Sequence, residues 1–73
     1  MIKLFSKPNC PQCMMTHKEL KRNNIPFEYV DLTQDPEALE YVTSLGHSSA
    51  PVVVTDEGDS WSGFRPDRIR ELA

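Results

Sequence analysis

Apolar and polar positions change their rhythm along the chain, and that rhythm predicts seven elements. "MIKLF" at residues 1–5 is a short apolar run, followed by a stretch around Pro8 that cannot extend it, and predicts a strand. Cys13, Thr16, His17 and Leu20 recur at helical spacing, so residues 11–22 form a helix with these four on one face. Pro11 suits its first position, where the missing N–H would have no partner, and "NNIP" stops it. Cys10, directly before a proline, is pushed out of helical dihedrals and is the predicted N-cap. "FEYVDL" at 27–32 carries Phe27, Tyr29 and Val30 as β-formers and predicts a second strand. Asp35 then caps a helix with Pro36 in its first turn; Ala38, Leu39, Val42 and Leu45 make its inward face and Gly46 ends it. "PVVVT" at 51–55 is apolar without interruption, which predicts a strand buried on both faces. "DEGD" at 56–59 is a turn and "SWSG" a short fourth strand. Pro66 opens a last helix with Ile69 and Leu72 inward.

Two strands joined by a helix run parallel with a right-handed crossover, and the turn at 56–59 makes an antiparallel hairpin. The predicted fold class is α/β, ordered β-α-β-α-β-β-α, with a four-stranded mixed sheet and helices on both faces. The 73 residues allow a single domain, 1–73, with a thin core. Eight basic residues against 11 acidic ones give a net charge of −3, and no basic stripe runs along the chain, which argues against a nucleic-acid partner. Lys18, Lys21 and Arg22, with Arg65, Arg68 and Arg70, read as solvated helix faces or as a docking surface for an acidic partner. No apolar run approaches the length of a membrane span, and "MIKLF" is too short for a secretory signal. A cytoplasmic, reducing setting is the expectation, and there a C-x-x-C pair is more often catalytic or metal-binding than structural.

"KPNCPQC" at 7–13 carries the chemistry. As a structural staple it gains little, because closing so short a loop is worth about 2 kcal/mol in the chain-entropy model. As half of a zinc site it needs two further ligands, for which only His17 and His47 are available. Their plainer readings are a helix-surface residue and a loop residue. The redox reading fits the placement best, since only a thiolate attacks a disulfide. At the mouth of a helix, Cys10 faces unpaired N–H groups and the positive end of the dipole, a setting worth roughly 0.3–2 kcal/mol to an anion. Lys7 either adds to that field or is an exposed loop lysine. Cys13 lies one turn in, on the covered face, where a thiol is harder to ionise. An exposed Cys10 would attack a substrate disulfide, and a shielded Cys13 would resolve the mixed disulfide, leaving Cys10–Cys13 oxidised.

Three features make the chain resemble the thioredoxin superfamily, and the glutaredoxins more closely: "KPNCPQC" after the first strand, "APVVV" opening the third, and a glycine after the fourth. The resemblance implies strand order 2-1-3-4, a third strand antiparallel to the first, and a cis bond at Ala50–Pro51 with Pro51 against the cysteines. "WSGFRPDRI" at 61–69 is similar to the C-terminal signature of the NrdH redoxins. That family's expected role is electron transport for deoxyribonucleotide synthesis: reduction by thioredoxin reductase, hence by NADPH indirectly with no bound cofactor, and donation to the large subunit of class Ib ribonucleotide reductase. The chain is then a protein disulfide reductase, with a monomer as the default state. Glutathione-using glutaredoxins usually carry Gly-Gly and an acidic residue after the fourth strand. Here the place reads Ser62-Gly63-Phe64-Arg65, which argues against the same binding site; in NrdH redoxins the segment is held by its own hydrogen bonds. The relatives usually read C-V-Q-C, and Pro11 departs from that pattern toward the glutaredoxins. Trp61, Ser62, Gly63, Phe64 and Arg65 are the expected partner-binding residues, with core packing as the other reading for Trp61 and Phe64. Met14 and Met15 read either as core or as an adaptable contact surface. A glutathione-dependent glutaredoxin and a metal-binding module on Cys10 and Cys13 are the alternatives.

Overall fold

A computed structural model describes all 73 residues. Its elements are β1 (Ile2–Ser6), α1 (Pro11–Arg22), β2 (Phe27–Asp31), α2 (Pro36–Ser44), β3 (Val52–Val54), β4 (Ser60–Ser62) and α3 (Pro66–Leu72). All three helices start on a proline, and two have the side-chain caps the sequence predicts. Asp35 Oδ1 accepts from the Ala38 N–H at 3.1 Å. Gly46, with φ of +93°, takes the left-handed conformation that turns the chain out of α2.

The strands lie in the order β2-β1-β3-β4. β1 and β2 are parallel, whereas β3 runs antiparallel to β1 and to β4. Leu4 stands opposite Val53, and Val53 opposite Trp61. Alternate side chains leave a strand on opposite faces, so this row shares one face. It packs with Leu20 of α1, Ile25 and Ile69 of α3 into the larger cluster. The next row, Phe5 opposite Val52, faces the other way and meets Ala38 and Val42 of α2. Three helices on two faces therefore follow from the register. No helix is long and apolar enough to cross a membrane.

Two side chains depart from the sequence reading, and two are decided between its alternatives. Leu39 and Leu45, expected inward, are 50% and 41% exposed. The apolar patch under α2 is small, and Ala38 and Val42 are the α2 side chains that close over Phe5 and Val52. Met14 and Met15 are 58% and 47% exposed, and Met14 lines a cavity with Cys13, which favours the contact-surface reading over the core one.

Candidate active site

Cys10 has φ −117° and ψ 105°, the extended conformation of an N-cap, and its carbonyl accepts from the Met14 N–H at 3.1 Å. Its sulfur lies back over the first turn of α1, where the Cys13 N–H donates to Sγ at 3.2 Å. One of the unpaired donors at the helix mouth thus points at this sulfur, an acceptor role that a thiolate fills better than a thiol. Both cysteines are unbonded thiols. One expectation needs correction. Cys10 is not exposed: it shows 7% of its surface against 2% for Cys13, because the turn that places it on the helix dipole also folds it against the protein. The two sulfurs differ in their surroundings more than in their access. Burial, followed by the neighbouring Cys10, pushes the Cys13 thiol above its ordinary range; Ser6 and the Lys7 backbone oppose this less strongly.

The sequence-predicted neighbours divide into those the fold brings to the cysteines and those it does not. Ala50–Pro51 is cis, as the resemblance implied, and Pro51 is buried. The Pro51 carbonyl accepts from the Gly63 N–H at 2.9 Å. Directly after, the Phe64 N–H donates to Gln12 Oε1 at 3.3 Å. The residue inside C-P-Q-C thereby holds the segment after β4. Gly63 has φ +83°, a left-handed conformation that favours glycine, and it lies close to the Gln12 side chain. Phe64 is half-buried against the larger cluster. Lys7 is exposed, on the rim of a cavity of about 250 Å³ that Cys13 also lines.

Trp61 is the second correction. Expected as a partner anchor, it is 5% exposed and stands in the core row with Leu4 and Val53, with the Arg68 guanidinium 4.8 Å from its ring centroid. β4 is an edge strand, but the Trp61 side chain lies on the face that Leu20 of α1 and Ile69 of α3 cover, which leaves it no outer surface to offer. Ser62 is half-buried opposite Val52. Arg65 is exposed, and its guanidinium makes two hydrogen bonds to Asp67, at 3.2 and 3.0 Å. The histidines stand apart: His47 Nε2 lies 2.8 Å from Ser60 Oγ, and His17 stands edge-on to Phe27 and Tyr29. No three His, Cys, Asp or Glu side chains gather closely enough to hold a metal ion, so the metal reading requires ligands from a second chain. Sequence reasoning missed Gln12 and Ser6. Neither carries a local signal, because each acts on residues the fold brings from elsewhere.

Residues 2–58 match the sequence profile of the glutaredoxin family. The chain is also 38% identical over 73 residues, the whole of both chains, to the glutaredoxin-like protein NrdH of Lactococcus lactis subsp. lactis strain IL1403. It belongs to the NrdH glutaredoxin-like proteins. Its identity to the NrdH protein of Escherichia coli K12 is 38% over 72 residues, covering 97% of this chain and 86% of that one. The solved structure of the Escherichia coli NrdH-redoxin, described for its thioredoxin-like activity profile, superposes with a TM-score of 0.93 at 35% identity, over 99% of this chain and 93% of that chain. The thioredoxin-like protein BC3987 follows at 0.91 and 30%, over all of both chains. The NrdH-family chain is thus a thiol–disulfide oxidoreductase with the thioredoxin fold.

Proposed function

We propose that this protein is a cytoplasmic dithiol electron carrier, reduced by thioredoxin reductase at the expense of NADPH and donating to the large subunit of class Ib ribonucleotide reductase. Cys10 attacks the target disulfide and forms a mixed disulfide. Cys13 then attacks Cys10 and releases the reduced target. The contrast between the two thiols supports this order: Cys10 Sγ accepts a helix N–H, while burial keeps the Cys13 proton on. No bound cofactor takes part, and the chain acts as a monomer.

The observation that carries the choice of reductant is the segment after β4. A glutathione site at this position needs open backbone donors and room beside them. Here the Gly63 and Phe64 N–H groups are bonded to Pro51 and Gln12, and Phe64 fills the space where the glutathione-using cousins have glycine. The thioredoxin-like activity profile named for the Escherichia coli relative accords with a protein reductant. Met14, exposed and lining a cavity with Cys13, offers partners a flexible apolar contact, and Phe64, half-buried and bonded through its N–H to Gln12, borders the same end.

A paired assay tests the reading: oxidation of NADPH with thioredoxin reductase and a disulfide substrate, set against glutathione with glutathione reductase. Turnover in the first is expected. Turnover in the second alone would make the protein a glutathione-dependent glutaredoxin. Cys13→Ser is expected to trap a mixed disulfide through Cys10; trapping by Cys10→Ser instead would reverse the roles.

A further inference from the structure

The resolving step leaves a proton without an owner. Cys13 must lose it to become a nucleophile, yet its burial holds that proton more tightly than an ordinary thiol does. The cavity of about 250 Å³ against Cys13 is lined by Ser6, Lys7, Met14, His17 and Tyr29, among others, and by no carboxylate. Lys7 is an ammonium with no acceptor, and the Ser6 hydroxyl and the phenol are poor bases near neutrality. Imidazole is the side chain whose ordinary titration lies nearest to neutral pH, and His17 is the one imidazole on this wall.

The placement of His17 is specific. It follows Cys13 by four residues on α1, so their Cβ atoms lie about 5–6 Å apart on one face of the helix. Phe27 and Tyr29 hold the ring edge-on, with centroids at 5.2 and 5.9 Å and interplanar angles of 89° and 83°. The other imidazole, His47, is engaged with Ser60, whereas His17 has no hydrogen-bond partner in the chain and keeps a ring nitrogen available. Beyond Tyr29, the outer groove that His17 also borders adds one further ionisable group, Lys21.

We propose that His17 accepts the Cys13 proton during resolution, through the cavity both side chains line. This rests on Cys13 being the resolving thiol. As the Cys13 Sγ–Cys10 Sγ bond forms, the Cys10–substrate S–S bond breaks. Its electron pair leaves on the substrate sulfur. The substrate is reduced and the cysteine pair oxidised by two electrons. The imidazolium returns its proton to the departing thiolate or to water.

The test is single-turnover release of the second thiol, the one freed by resolution, after mixing the reduced protein with a disulfide that joins two peptides; the first thiol leaves when Cys10 attacks. His17→Phe keeps a flat ring against Phe27 and Tyr29 but removes the acceptor, and release is expected to slow on the order of 10²-fold. In His17→Ala, added imidazole should restore part of the rate, which a purely structural role cannot explain. Alkylation of Cys10 should be unchanged in both variants. His17→Gln, checked for folding by circular dichroism, replaces either variant that fails to fold and should be as slow as His17→Phe. Release from a folded His17→Phe or His17→Gln as fast as wild type, or imidazole acting equally on wild type and variant, would overturn the proposal. Failure of Cys13→Ser to trap a mixed disulfide would instead remove the reading beneath it.

Discussion

On the sheet face toward α1 and α3, Leu4, Leu20, Val53 and Ile69 are wholly enclosed and Trp61 nearly so. On the face toward α2, Phe5, Val52 and Val42 are buried, but Leu39 and Leu45 of the same region stay open to solvent. The helix that carries the cysteines is docked on the better-filled face. The thinner face borders a cleft of about 290 Å³ whose walls include Thr33, Leu39 and Ala50, next to the cis proline. In a chain this short, where total stability is about 0.05–0.15 kcal/mol per residue, that division matters. The reacting sulfurs are held by the part of the core with most to lose, and the open cleft lies where packing is least complete.

The strongest challenge to this contrast is Trp61→Ala. It opens the row Leu4–Val53–Trp61, and a loss of about 3–5 kcal/mol is expected in urea unfolding. A loss below about 1 kcal/mol would mean the side chain is not part of the core. Val42→Ala on the α2 face should cost less, about 1–2 kcal/mol, by the methyl groups it removes. Equal losses at the two sites would erase the distinction between the faces. Gln12→Ala removes only the acceptor for the Phe64 amide. A loss of about 0.5–1.5 kcal/mol is expected, with faster hydrogen exchange at Phe64 as the sharper readout.

Acid probes the same helix at its far end. Glu19 accepts from Arg22 at 2.8 Å and from Asn23 at 3.1 Å, and the Arg22 guanidinium holds its carboxyl below the ordinary range. A carboxyl depressed in the folded state contributes stability above its unfolded value and loses it as pH falls through the folded one. Glu19→Gln should therefore be slightly less stable than wild type near neutrality and converge with it in acid. Parallel curves throughout would assign Glu19 no ionic role.

Much of this architecture was legible before any coordinates. Pro11, Pro36 and Pro66 each mark a helix start, and Cys10 and Asp35 are caps whose chemistry is local. Local rules govern such features, so a sequence displays them. Burial was less readable. Helical spacing put Leu39 and Leu45 inward, but spacing states which residues share a face and not how much sheet lies beneath it. Trp61 was ambiguous for a related reason: only its register with Val53 and Leu4 decides between core and surface. The exposure of Cys10 failed because an N-cap folds its own side chain back over the helix. Gln12, which reaches residue 64, lay beyond any local rule.

The paired amides at residues 63 and 64 bear on how this scaffold changes its habits. A small anionic molecule seeking those two hydrogens meets an incumbent, the chain's own proline carbonyl and glutamine side chain, which never diffuses away. Substituting Gln12 frees only one of the two hydrogens, because the other is held by a backbone carbonyl. Any ligand that needs those hydrogens would first have to evict the incumbent, so what this end of the molecule can grip depends on what the chain has already promised to itself.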